Sequence, residues 1–388
     1  MRTPDPSVGT DGIAKAEYLA RIKTTRAALA QAGVGALCAF GDCWRSANVS
    51  YFTEFRPLDG VSDIANALFW LPVDGEPLLF VSDQCFDYAT SVTAFEVARL
   101  RDLKSRLAAS PASARTGKVG LAGAAYVPAN LLDRVRDALP DAAIAPTMLL
   151  AEIKAVKSDA EVALLRKACA LTDDAMEAIR LVLADGQPHT ELELAMAADR
   201  AMLAGGATRI AYDSMVQAGP RSAYNLARPT DRVVAPGDLV MTDIGARYRG
   251  YVADGGRGFT YGPASAEKKA IVAAAARAVE AGLAAARPGM LAMELNSAIQ
   301  KALVESGYER YSSEAKGHGT GHGTGMDPEE EAPWIGPGNT TVLQTNMVFT
   351  LKATITVPNV GGLRTERIVR LSESAVEPLD RYPMELYW

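Results

Sequence analysis

The chain has 388 residues, 48% of them hydrophobic and 22% charged, with Lys+Arg 40 against Asp+Glu 46, a net charge of -6, four cysteines and only three histidines. That length exceeds one ordinary domain and is enough to bury a large core, so two globular domains are expected. The acidic balance, with no clustered basic run, argues against a nucleic-acid or anionic-membrane partner and leaves small molecules or short peptides as ligands.

The first residues, MRTPDPSVGTDG, lack the basic and apolar blocks of a signal peptide, and no apolar run approaches the roughly 18 residues that span a bilayer. Cys38, Cys43, Cys85 and Cys169 follow no zinc or redox spacing, so a cytoplasmic protein with reduced thiols is expected. Residues 13–32 place apolar side chains at helical spacing, and Gly33 ends the run as a helix terminus would. Short apolar runs follow, GALCAF, NALFWLPV, EPLLFVS and KVGLAG, and then a helical NLLDRVRDAL. This alternation predicts an α/β domain over residues 1–151. Ser158 and Glu161 are spaced as a capping box for a long amphipathic helix reaching about Ala184, so the second domain is taken as 152–388. A second box, Thr190 to Glu193, opens another helix, and apolar strands then carry MVQAG and DLVMTDIG. Two more helical segments and a further run of strands follow. Two rounds of helix, helix, strands predict an internal pseudo-twofold duplication of about 110 residues.

Chemistry concentrates in three stretches. GDLVMTDIGARYRGYVADGGRGF reads as a hairpin turning at Tyr248/Arg249, which sets Asp243 opposite Asp254. Facing carboxylates destabilise a ladder unless a metal ion, a cationic side chain or a shared proton compensates. VFTLKATITVPNVGGLRTERIVRL turns on Asn359 and sets Lys352 opposite Glu366. Between them lies KGHGTGHGTGMDPEEEAPWIGPG, where glycines beside each imidazole allow close backbone approach; His318 and His322 share a face only if the segment is extended. His189 reads as incidental, and Glu329-Glu330-Glu331 in isolation as a solvated loop.

These motifs, in this order, resemble the pita-bread hydrolases: methionine aminopeptidase, aminopeptidase P, proline dipeptidase and creatinase. The resemblance covers about residues 152–388, and the first domain is similar to the creatinase/prolidase N-terminal domain. It implies an α/β chain with a small N-terminal α/β domain followed by a pita-bread domain. In the metallopeptidase members two Asp, one His and two Glu hold a pair of divalent ions. Asp243, Asp254, His322 and Glu366 match four of these, and the fifth position is Lys352. Two further family histidines fall on Leu226 and near Glu329, while His318 matches one found in aminopeptidase P-like members.

Replacing a ligand Glu by Lys removes a donor and adds a cation. The expectation is therefore a creatinase-like hydrolase without a metal or other cofactor, cleaving a C–N bond in a small amide, lactam, amidine or guanidino compound. A single divalent ion (Mn, Co, Zn or Fe) on Asp243, Asp254, His322 and Glu366 is the alternative. His318 and His322 are the candidate acid-base pair. Lys352 would hold its charge against the carboxylates or stabilise an oxyanion. Glu366 or an Asp would activate water or act as nucleophile. Tyr212, Tyr224 and Trp334 are read as pocket walls or core, and Glu329 as substrate-binding. Arg56, with Asn48 and Tyr51, lies in a segment resembling one that reaches a neighbouring subunit's pocket in creatinase-like dimers; it is the candidate for binding a substrate carboxylate. A homodimer is implied. The alternatives are a metal-dependent Xaa-Pro aminopeptidase or dipeptidase with Lys352 displaced, a small-molecule lyase using the same acid-base set, and a non-catalytic peptide-binding protein.

Overall fold

The computed structural model describes residues 12–388 apart from 61, 313, 314, 316 and 374. The chain forms two compact units, one ending at Lys154 and the other Ala155–Trp388, so the division falls at 154 rather than at 151.

The first unit runs α1 (Lys15–Gln31), β1 (Ala36–Asp42), α2 (Ala47–Ser50), β2 (Asn66–Pro72), β3 (Leu78–Val81), α3 (Phe86–Val92), β4 (Glu96–Arg99), α4 (Leu103–Ala108), α5 (Ala112–Thr116), β5 (Lys118–Ala122), α6 (Ala129–Ala138), β6 (Ala143–Pro146) and α7 (Leu149–Ala155). Gly33, at φ 65°, takes the left-handed turn that follows α1. The continuous apolar runs form a mixed six-stranded sheet of order β4-β3-β2-β1-β5-β6, and β1 is buried along its whole length because both of its faces are covered. Phe40, Leu68, Trp70 and Phe80 meet Leu131 and Val135 of α6 in its core. Each large side chain buried in this way contributes roughly 1.5–3 kcal/mol. Burial also pushes the Cys38 thiol up to about 12, so it stays protonated and inert.

The second unit repeats its order. The first round is α8 (Asp159–Leu183), α9 (Glu191–Ala204), β7 (Arg209–Ile210), β8 (Met215–Ala218), β9 (Leu239–Ile244), β10 (Ala246–Tyr248), β11 (Tyr251–Val252) and β12 (Gly255–Thr260). The second is α10 (Ala266–Ala285), α11 (Ala292–Glu305), β13 (Gly321–Gly323), β14 (Glu330–Ile335), β15 (Val348–Val357), β16 (Gly361–Leu371), β17 (Val376–Pro378) and β18 (Leu386–Tyr387). Both predicted capping boxes form, Ser158 with Glu161 and Thr190 with Glu193, each satisfying two backbone donors that a helix start leaves unpaired. The strands assemble as β11-β10-β7, β18-β12-β9-β8 and β14-β13-β15-β16-β17. The last strand thus returns to the first round's sheet, pairing parallel with β12. Leu171, Ala175 and Ile179 of α8 pack with Leu194 and Ala198 of α9 against Val216, Val240 and Phe259. Among the described residues, no helix is long and apolar enough to cross a membrane.

Two registers position the chemistry. Lys352 pairs with Glu366 as read from the sequence, with Asn359 at φ 64° in the turn. The other hairpin differs: Asp243 pairs with Gly256, not Asp254. Its turn lies on Arg249-Gly250, at φ 48° and 91°, one residue beyond the expected place. Asp254 falls in the break between β11 and β12. A two-residue displacement on a period-two ladder preserves the face, so the two aspartates still point to one side as diagonal neighbours.

Candidate active site

Three strands deliver three buried carboxylates. Asp243 comes from β9, Asp254 from the break before β12 and Glu366 from β16, at 2%, 6% and 1% exposure. One oxygen of each lies within 4.8 Å of the others. The Tyr212 hydroxyl is 2.7 Å from Asp243 Oδ1 and 2.5 Å from Asp254 Oδ1. A phenol has one proton to donate, so a second short, strong contact is best satisfied by a proton from the carboxyl side. Asp254 fits that role: burial raises it well above the usual carboxylate range, and Glu366 and Asp243 raise it further. Glu366 is raised to about 7, first by burial and then by Asp243, against the opposing pull of Arg364 and Lys352. Neither Glu366 oxygen has a hydrogen-bond partner among the described residues.

Two cations border the cluster. Arg364 stands two residues before Glu366 on β16 and hence on the same face. Its Nη1 contacts Asp243 Oδ2, its Nη2 donates to Asn225 Oδ1 at 2.9 Å, and its Nε lies 3.7 Å from Glu366 Oε1. Burial opposes its charge, but Asp243, Glu366 and Asp254 outweigh burial and hold it protonated. Lys352, directly opposite Glu366, shares that face and is half-buried. Its ammonium makes no hydrogen bond or ion pair among the described residues.

His322 enters from β13, squeezed between β14 and β15. A Cβ at Gly321 would meet Thr350 O at 2.1 Å, and one at Gly323 would meet Ala332 O at 2.1 Å, so only glycine admits the neighbouring backbones. His322 Nδ1 is 3.1 Å from the Gly323 carbonyl, which can only accept; Nδ1 therefore carries the proton and Nε2 the lone pair. Burial first, and then Lys352, push this imidazole down to about 4, so it is neutral at ordinary pH. Nε2 lies 3.3 Å from Asp254 Oδ2 and 3.6 Å from Glu329 Oε1. A bare imidazole nitrogen beside a carboxylate oxygen is repulsive unless a proton or cation lies between them.

The other predicted residues are not among the three clustered carboxylates. His318 lies in irregular backbone ahead of β13 and is exposed, whereas His322 is buried in the strand. Trp334 sits across the ladder from His322 at 39% exposure, and Glu329 is exposed at the rim. Tyr224 is exposed beside the Arg221 guanidinium, and Leu226 is exposed as well. Arg56 is a half-buried residue of the first unit. His189 contacts Asp185 at 2.9 Å away from the cluster. The acidic run is not wholly solvated: Glu330 is buried, accepting from Lys157 Nζ at 2.8 Å and from the Met326 amide at 3.0 Å. Sequence reading missed Arg364, which a two-residue step from Glu366 would have placed on the same face. It also missed Lys157, for which no local signal existed.

A family model, metallopeptidase family M24, matches residues 163–373, more than half of the chain. The chain is 30% identical over 238 residues to an Xaa-Pro dipeptidase of Pyrococcus horikoshii, covering 61% of this chain and 66% of that protein, just under two thirds of its length. It is 32% identical over 261 residues to a probable dipeptidase PepE of Mycobacterium tuberculosis, covering 67% and 68%. Among solved structures, dipeptidase PepE from Mycobacterium ulcerans superposes with a TM-score of 0.82 at 26% identity over 97% of this chain and 98% of that one. Prolidase from Pyrococcus horikoshii shares the fold, with a TM-score of 0.81 at 23% identity over 94% and 99%. These relatives overturn the creatinase-like, non-peptidase expectation, because the proteins it is similar to are named as dipeptidases and prolidases. The matched residues carry Asp243, Asp254, His322, Lys352 and Glu366 within a pita-bread frame, and the chain belongs to metallopeptidase family M24.

Proposed function

We propose that the protein is a peptidase of short Xaa-Pro substrates that works with a divalent metal ion at the carboxylate cluster. The observation that carries this reading is the meeting of unsatisfied donors. Both oxygens of buried Glu366 and Nε2 of buried His322 lack hydrogen-bond partners, and Nε2 faces Asp254 with a lone pair. Carboxylate oxygens with one imidazole nitrogen suit Mn, Fe, Co or Zn, so the residues fit a divalent ion held by Asp243, Asp254, His322 and Glu366. Bound there, the ion would act as a Lewis acid and lower the pKa of a water.

The chain's own residues supply the rest. Arg364 and Tyr212 fix Asp243 and Asp254 in place. The Gly323 carbonyl sets the His322 tautomer, as an orienting partner does for a ligand imidazole. Lys352, with an unengaged ammonium on the Glu366 face, would stabilise negative charge developing on the scissile carbonyl oxygen. Glu329, exposed at the rim, is the carboxylate for a substrate's amino terminus. The test is hydrolysis of Xaa-Pro dipeptides against matched Xaa-Ala dipeptides by purified protein supplied with Mn, Co, Zn or Fe. Proline-selective cleavage that chelation abolishes is expected; no cleavage with any of these ions would overturn the reading.

A further inference from the structure

We infer that the site takes one divalent cation rather than two, with the Lys352 ammonium serving as its second positive charge. This rests on the metal-dependent reading above and specifies it. With all three carboxylates ionised, as ligation requires, they and the cations of Arg364 and Lys352 leave one net negative charge at the cluster, so a single divalent ion makes it one positive and a second would make it three positive. The exposed Glu329 carboxylate, 3.6 Å from His322 Nε2, brings the one-ion site to neutrality and leaves the two-ion site at two positive. Like charges packed in a buried site repel strongly, because little water screens them.

Donor supply agrees with charge. The buried donors without a hydrogen bond are the two Glu366 oxygens and His322 Nε2, while each Asp243 oxygen already accepts a hydrogen bond, one from Arg364 and one from Tyr212, that a ligated ion would have to share. The side chain facing Glu366 across the ladder is an ammonium, which donates hydrogens and cannot ligate while protonated. The pairing is fixed by an unbroken ten-pair register from Val348↔Arg370 to Val357↔Gly361, so Lys352 cannot turn to the other face without unpairing both strands.

The test is metal stoichiometry, which needs no catalytic turnover. Full-length protein stripped of metal and titrated with Mn2+ is expected to bind one ion per chain, with an uncoupled six-line electron paramagnetic spectrum. Lys352→Glu, which places a fourth carboxylate opposite Glu366, is expected to raise the count to two and to introduce spin coupling. If that variant does not fold, Lys352→Gln removes the charge and adds only a neutral amide oxygen; it should keep one ion and bind it about tenfold more tightly or better. Two ions or a coupled pair in the wild type would overturn the inference while leaving the peptidase reading intact. No bound ion would overturn both. A count that Lys352→Glu leaves at one, or an affinity that Lys352→Gln leaves unchanged, would remove Lys352 from the explanation.

Discussion

Glu366→Gln in metal-free protein isolates the electrostatics of the cluster. The two Glu366 oxygens accept no hydrogen bond among the described residues, so an amide of the same shape forfeits none, and it carries no charge at any pH. Burial, then Asp243, raise the folded carboxyl from 4.5 to about 7. Below the unfolded value both states are protonated and the full contribution to stability is present; it is lost as pH rises through the folded value. A rise from 4.5 to about 7 corresponds to on the order of 3 kcal/mol. With chelator present, wild type should therefore lose on the order of 3 kcal/mol relative to Glu366→Gln between pH 4.5 and pH 7.5, or roughly 6–12 °C in Tm for a domain of this size. His322 titrates in the opposite sense. Its depressed pKa withholds stability as pH falls from 6.5 toward about 4, and because both proteins contain it, it enters the difference only through its coupling to the charge at residue 366. The assay is urea unfolding of the pair at steps across that range. A wild-type minus variant difference that stays flat with pH would refute the reasoning. Adding Mn2+ should reverse the order at pH 7.5, since the ion binds the ionised carboxylate of the native wild type and not the amide.

The two histidines of the glycine-flanked motif should separate. Removing His322 by substitution to Gln is expected to lower kcat/KM on a proline dipeptide by roughly 10²-fold or more, whereas His318→Ala, at an exposed position, should stay within about twofold; steady-state kinetics at saturating metal decides it. The Lys157–Glu330 pair is buried on both sides, so Lys157→Met should destabilise by about 3–5 kcal/mol by removing the ammonium that faces a buried carboxylate. Adding Glu330→Gln should recover most of that loss in denaturant melts. A double variant no more stable than the single would show that the charge is not what destabilises.

Local signals were legible where one physical rule governs. The two capping boxes formed because a Ser or Thr three residues before Glu satisfies orphan donors whatever the tertiary context. The Lys352–Glu366 register was legible because the hairpin has no bulge and its left-handed turn residue, Asn359, marks the centre. The Asp243–Asp254 hairpin misled by one residue: Arg249 adopts φ 48°, a conformation that an Arg does not advertise, with Gly250 beside it. Tyr212 and Arg364 reach Asp243 from 31 and 121 residues away in the chain, and Asn225 accepts from Arg364 across 139; such convergence leaves no periodic trace in sequence. The histidine motif was half legible. Glycine did signal close backbone approach, but the strand it enables is only Gly321–Gly323, too short to carry His318 as well.

Kinship and chemistry separate at a single side chain. The hairpin of β15 and β16 fixes the direction of residue 352 through ten backbone pairs that do not depend on which side chain stands there. Glutamate or lysine at that position therefore points toward the same face as Glu366 with no change of backbone pairing. Asp243 and Asp254 are constrained differently. Their spacing follows from the Arg249-Gly250 turn and the break before β12, and Tyr212 and Arg364 hold them from elements that would have to move with them. The cluster thus has a rigid half, set by turn geometry and buried polar contacts, and a half whose charge can change by two through one substitution. Resemblance over the whole fold reports the first half. The single ion expected at the site follows from the second, through the charge that residue 352 carries.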